Sequence, residues 1–285
     1  MKRQSRLIYT LKTLFGRKLV VFAAILVAFF IFVAIFAPFL SPYDPYANNI
    51  TNAYADPSPE HILGTDKLGR DVVTRLMFGA RTSLLVGFAS VAMAAVVGVT
   101  IGLICGFYGG VLNAVLSRVV DTLMSIPNIM LAMAFSLMFS HGSVLGLMIV
   151  LGLATVPTYA RIMSAQVLQI RNSDFMVAEK VLGMSNFKMI WSHLLPNCIS
   201  PILVVLTSNI GTTILCESSL NFLGLGVVAP TASWGGMVSE AYTLMLLHPV
   251  YALAPGLCIM LLVLGFNILG DGIRDAIDPR LRGML

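Results

Sequence analysis

Apolar residues along this chain gather into long unbroken runs instead of alternating with polar ones. Six stretches stand out, at about 19–40, 83–107, 119–140, 144–168, 200–226 and 248–270. A helix rises 1.5 Å per residue, so about 20 apolar residues cross a ~30 Å hydrocarbon layer. The pattern predicts an all-α polytopic membrane protein with about six transmembrane helices. The first run, 19–40, follows a basic stretch, and no small-residue cleavage pattern comes after it. It reads as a retained first span and not as a signal peptide. Pro127 lies inside the third run and predicts a kink there, which packed neighbouring helices can accommodate.

Composition agrees with this pattern. The chain has 285 residues, 58% hydrophobic and 11% charged, with a mean hydropathy of +0.89. Soluble domains carry about a quarter charged residues, so lipid must cover most of this surface. The net charge of +5 does not imply a nucleic-acid partner, because its distribution follows the membrane. Of the 18 Lys and Arg, all but Lys67, Arg70, Arg75 and Arg81 fall in segments 1–18, 108–118, 161–199 and 271–285. Basic residues concentrate on the cytoplasmic side, which predicts both termini inside a bacterial inner membrane. The resulting organisation is a cytoplasmic segment 1–18, a first span 19–40 and an extracytoplasmic loop 41–82. A transmembrane core 83–270 follows, with a cytoplasmic loop at 169–199, and then a cytoplasmic tail 271–285. Within the outer loop, Arg70–Arg81 reads as a short amphipathic helix on the membrane surface. Segment 227–247 reads as a second outer loop, anchored by Trp234 at the interface.

Catalytic signatures are missing. No lysine follows a glycine, so the phosphate-cradling GxxxxGK[ST] loop is absent. There is no HExxH or GxSxG, and neither the four histidines nor the four cysteines (Cys105, Cys198, Cys216, Cys258) fall at metal-site spacing. The sixteen methionines are scattered and do not trace a metal conduit. No cofactor, metal or catalytic residue is expected, so the chain acts by moving or by holding a path open.

Charges inside spans are costly and tend to mark function. Arg118 and Asp121, one turn apart, predict an intrahelical ion pair. In the fifth span Asn209, Thr212, Thr213 and Glu217 recur at helical spacing. They could line a water-filled path, and small polar residues also join helices to one another. For Glu217 a hydrogen bond to a neighbouring helix or to a partner subunit is favoured over contact with substrate.

The loop RNSDFMVAEKVLGMSNFKMIWSHLLPN (171–197) is the longest expected inside. Ser173 or Asp174 can cap a short helix that Gly183 ends, and Ser185 can cap a second helix that stops before Pro196. Phe175, Val181, Leu182, Phe187, Ile190 and Trp191 would form one apolar side. On the residues alone, an ordinary interfacial hairpin explains the segment equally well.

The loop also resembles the cytoplasmic signature of the permease subunits of ATP-binding-cassette importers, which is EAA, three residues, Gly, nine residues, I-x-L-P. Aligned on Gly183, the EAA positions fall on Val177, Ala178 and Glu179, and the I-x-L-P positions on His193, Leu194, Leu195 and Pro196. The first and third EAA positions and the isoleucine depart from the signature. Three further segments resemble the C-type permease subunit of the peptide/nickel branch. They are LGTDKLGRDV (63–72), ESSLNFLGLG (217–226) followed by PTASWG (230–235), and FNILGDGIRDAIDPRL (266–281). Asn221 stands where that branch usually has serine.

This resemblance implies a type I importer permease fold carrying half of a translocation path for oligo- or dipeptides, with nickel or a metal chelate as the alternative cargo. It implies a second homologous permease, two ATP-binding cassette subunits and an extracytoplasmic substrate-binding protein as partners, besides membrane lipid. It also implies an ATPase-coupling role for Asp174, Ala178, Glu179, Gly183, Leu195 and Pro196. A secondary transporter and a non-transporting scaffold are less favoured.

Overall fold

A computed structural model describes residues 14–277, and every regular element among them is helical. In chain order these are α1 (Lys18–Leu40), α2 (Val72–Tyr108), α3 (Gly110–Met124), α4 (Asn128–Phe139), α5 (Val144–Ile170) and α6 (Asp174–Val181). They are followed by α7 (Asn186–Phe222), α8 (Trp234–Ala241) and α9 (Pro249–Ile277). Helices α1, α2, α5, α7 and α9 are each long and apolar enough to cross a membrane, and the α3–α4 pair makes a sixth crossing if taken together. The basic stretch before residue 14 and the end of the 266–281 motif lie outside the described residues.

Three elements differ from expectation. The surface helix expected at 70–81 is the first part of α2, which runs unbroken for 37 residues. Asp71 starts it, its carboxylate accepting from Thr74 N–H at 2.7 Å, and no later residue supplies a stop. The third crossing is broken and not merely kinked, with α3 and α4 meeting at 96°. Pro127 has no N–H to donate and steers the residue before it away from helix, so Ser125–Pro127 forms a corner. The second helix of the 171–197 loop does not stop before Pro196 but continues as α7. A π turn at Met189–Leu194, with Leu195 N–H reaching back to Ile190 O, absorbs the proline.

The centre of the bundle is α2 against α5. Gly98, Gly102 and Gly106 lie four residues apart on the packed face of α2. A Cβ on them would stand 2.6 Å from Tyr159 Cβ, 2.5 Å from Ala160 O and 2.6 Å from Val167 Cβ respectively. Only glycine permits this approach, and van der Waals contact at such a seam is a main source of cohesion in lipid.

At the end expected to be outer, residues 41–71 fold into a cap over the bundle. Asp66, fully buried, accepts from Arg70 Nε at 2.6 Å and faces Arg75 Nε at 3.3 Å. Arg70 also approaches Glu240 of α8 at 3.7 Å, and the Tyr251 hydroxyl of α9 donates to Glu240 at 3.1 Å. Trp234 lies over Gly79, donates Nε1–H to Leu76 O at 2.9 Å and meets the Phe30 ring edge-on. The 63–72 motif thus reaches α8 through Glu240, and the 230–235 motif packs Trp234 onto the first turns of α2. Trp234 is a core residue there, not an exposed interfacial anchor.

Candidate functional site

At the opposite end, α6 and the start of α7 form a projecting knuckle. Gly183 turns the corner with φ +78°, a left-handed conformation that glycine adopts without strain. Gly183 N–H donates to Lys180 O and Met184 N–H to Glu179 O, each at 3.1 Å, so the last carbonyls of α6 are satisfied. Neither serine caps: Ser173 Oγ donates back to Ile170 O, and Ser185 makes no side-chain cap bond. Asp174 instead sits exposed in the first turn of α6, where a negative charge favours the helix dipole.

The knuckle has an anchored side and a free side. Met176, Met189, Ile190 and Leu194 join the core of the bundle. Ile190 therefore belongs to the anchor and not to the apolar outer side expected for it. Val181 and Leu182 are each 83% exposed and Phe187 73%, with Phe175 and Trp191 beside them. Of the residues for which the resemblance implies a coupling role, Asp174, Ala178, Gly183 and Pro196 are exposed, and Glu179 and Leu195 are half-buried. Two of the three departures from the signature meet each other, Glu179 Oε1 lying 2.7 Å from His193 Nδ1 and tying α6 to the π turn. Arg171 Nη1 donates to Gly106 O at 2.9 Å and fixes the base of the knuckle to α2. A rigid apolar ridge on a polar base fits a cleft in another protein, since exposed apolar surface of this kind marks interaction sites.

The polar residues expected to line a path do not share one free face. Glu217 is fully buried, accepting from Ser83 Oγ at 3.0 Å, from Ser218 Oγ at 3.1 Å and from Asn221 Nδ2. It clamps α7 to α2, as the favoured sequence reading has it. Asn221, which replaces the usual serine, also accepts from Val227 N–H at 2.6 Å and pins the turn that follows α7. Thr213 is buried, Asn209 donates to the Tyr159 hydroxyl at 3.2 Å, and Thr212 is exposed.

The expected Arg118–Asp121 pair does not form. Asp121 pairs with Arg161 of α5 at 2.5 Å. Side chains one turn apart compete with a partner on the packed neighbour, and the neighbour wins here because the Asp121 face of α3 is the one turned toward α5. Arg161 lies nine residues before the end of α5, so it is a residue of the span and not of the inside segment in which its charge was counted. Sequence alone gave no sign of it as a partner. Among the described residues no three His, Cys, Asp or Glu side chains are grouped to hold a metal, and the four cysteines are free thiols.

Comparison with known proteins bears on both regions. Residues 98–283 match the family described as binding-protein-dependent transport system inner membrane component. Residues 5–57 match the N-terminal transmembrane domain of oligopeptide transport permease C. The dipeptide transport system permease protein of Alkalihalophilus pseudofirmus is 41% identical over 95% of this chain and 89% of its own length. The oligopeptide transport system permease protein of Bacillus subtilis is 37% identical over 94% and 87%. The probable D,D-dipeptide transport system permease protein of Escherichia coli K12 is 35% identical over 98% and 92%. An inward-facing structure of the MetNI methionine ABC transporter superposes with a TM-score of 0.58 at 19% identity, covering 72% of this chain and 96% of that one. That likeness concerns the fold alone.

Proposed function

We propose a mode of action from one premise: the chain belongs to the inner membrane components of binding-protein-dependent transport systems. It is a multi-pass permease of an ABC importer for peptides in a bacterial inner membrane. Such a permease works with an ATPase and a substrate-binding protein. Peptides are the cargo favoured over nickel, because the relatives named above carry dipeptides or oligopeptides.

In this reading the knuckle docks on the ATPase. Two ATP-binding cassette subunits serve two permeases, this chain and a homologous partner, and ATP is hydrolysed on the cassettes and not here. Supporting this is the ridge of Val181, Leu182 and Phe187, exposed in the free chain yet held rigidly by the Gly183 corner and the buried Met176 and Ile190. ATP-driven movement of the cleft would pass through Arg171 and the π turn directly into α2, α5 and α7. The cap of residues 41–71 and α8 then faces outward, toward the binding protein. Thr212 borders the path, with Asn209 behind it, while Thr213 and Glu217 serve helix packing.

Cysteine labelling tests this arrangement in intact cells. Cysteines at Asp56 and Leu246, both exposed on the cap side, should react with an impermeant thiol reagent from outside. One at Lys180 should react only after the inner face is opened. A cysteine at Thr212 should react in the assembled transporter, and one at Thr213 should stay inert. Labelling of position 180 from outside would reverse the orientation.

A further inference from the structure

Asn113, Ser117 and Asp121 stand four residues apart on α3 and so share one face. That face closes on α5 around a cavity of about 130 Å³, lined also by Arg161 and Ser164 of α5 and by Cys105 of α2. Ser117 Oγ donates to Asn113 Oδ1 at 2.9 Å. The space admits the charged end of a peptide, not a whole one.

The depth of this cavity is informative. Arg161 lies about 14 Å along α5 from its inner end, at 1.5 Å per residue. Leu131 and Ala132 of α4 pack with Leu147, Val150, Leu151 and Ala154 in the outer half of α5, while α3 meets its inner half. The corner at Ser125–Pro127 therefore falls level with the middle of α5. Broken helices and ionisable residues at mid-membrane are where transporters hold their cargo. The Asp121 and Arg161 side chains are 39% and 54% exposed in the free chain, so this face cannot rest against hydrocarbon. Asp121 Oδ1 is covered, and Arg161 approaches it without the direction of a hydrogen bond, so charge alone holds the pair.

Building on the peptide-permease reading, we propose that this cavity is a transit site for the charged termini of a peptide, with the ammonium on Asp121 and the carboxylate on Arg161. With no cargo the two side chains neutralise each other. An arriving terminus exchanges this ion pair for one of its own, the ammonium with Asp121 or the carboxylate with Arg161. Such an exchange is close to balanced, which gives a site that holds cargo weakly enough to release it, as conduction requires.

The test uses the complete transporter in liposomes, with the four native cysteines of this chain replaced and Ser117→Cys or Ser164→Cys introduced. A hydrophilic thiol reagent should modify both cysteines. Trialanine during ATP turnover should slow modification several-fold, and N-acetyl-trialanine amide, which has no charged termini, should not. Arg161→Gln should lower trialanine uptake about tenfold, the scale for losing one charge-assisted contact. Cysteines that are inert in every state would make the site a dry packing seam and overturn the proposal. Equal protection by the blocked peptide would overturn it as a terminus site. Slowed modification without peptide, lost when phosphatidylethanolamine is replaced by phosphatidylcholine, would assign the cavity to a lipid headgroup and overturn it too. Absence of trialanine uptake by the wild-type transporter would overturn the peptide reading and this site with it. Uptake with neither cysteine protected would overturn the site alone.

Discussion

Asp66→Asn is expected to leave the outer cap unfolded in much of the protein. Asp66 is fully buried and takes two backbone N–H groups, those of Leu68 at 2.8 Å and Arg70 at 3.0 Å, besides the Arg70 guanidinium and the Arg75 charge. Removing its charge strands two buried cations. Arg70 keeps only Glu240 at 3.7 Å, and Arg75 already has buried Nε and Nη1 atoms without a hydrogen bond. Breaking a buried pair by removing one partner costs about 3–5 kcal/mol. That is a large share of the stability of a typical domain, roughly 5–15 kcal/mol. The expected signs are a lower thermal midpoint in detergent and cleavage between residues 41 and 71 by protease added outside. Lys67→Ala removes a half-exposed partner of Glu240 and should cost about 0–1 kcal/mol. Equal stability of the two variants would show that the cap does not depend on its buried charges.

Gly183→Pro is expected to abolish peptide-stimulated ATP hydrolysis while the protein still inserts. The position needs φ near +78° and an N–H for Lys180 O, and proline supplies neither. Gly183→Ala separates shape from space. A Cβ at this position meets nothing within 4 Å, so alanine faces only the left-handed conformation, about 1–2 kcal/mol. The knuckle should survive in part. Leu182→Glu keeps the corner and changes only the ridge. Burying a leucine contributes about 1.5–3 kcal/mol, so ATPase affinity should fall at least about tenfold. Normal stimulation in both Gly183→Pro and Leu182→Glu would mean that coupling runs elsewhere.

The architecture was legible because lipid imposes a simple rule. Apolar runs of spanning length left little choice of element, and the 14 of 18 basic residues counted inside supplied an orientation to test. The corner at Gly183 and the free ridge were also readable, since a helix stop and exposed apolar side chains are local properties. What sequence could not show was partner choice. Asp121 had Arg118 within one turn, and only the packing of α3 on α5 brings Arg161 closer. The fifth-span stripe failed as a single face for a related reason. Helical spacing aligns Asn209, Thr213 and Glu217, but which neighbours cover that face depends on α2 and α5. The Gly98–Gly102–Gly106 series was visible at its spacing of four and would have located the central helix pair in advance. The fate of the prolines was divided, Pro127 breaking a span and Pro196 being absorbed by a π turn. Local propensity fixes that a proline disturbs a helix, and tertiary packing decides how.

On the proposed reading, separate ATPases move this permease through the knuckle formed by α6 and the start of α7. Peptide uptake into proteoliposomes tests it most directly, with and without the second permease, the two ATPase subunits and the binding protein. The complete assembly should accumulate a short peptide in an ATP-dependent way, and this chain alone should neither take up peptide nor bind ATP. Uptake by the chain alone, driven by an ion gradient and indifferent to ATP, would contradict that reading.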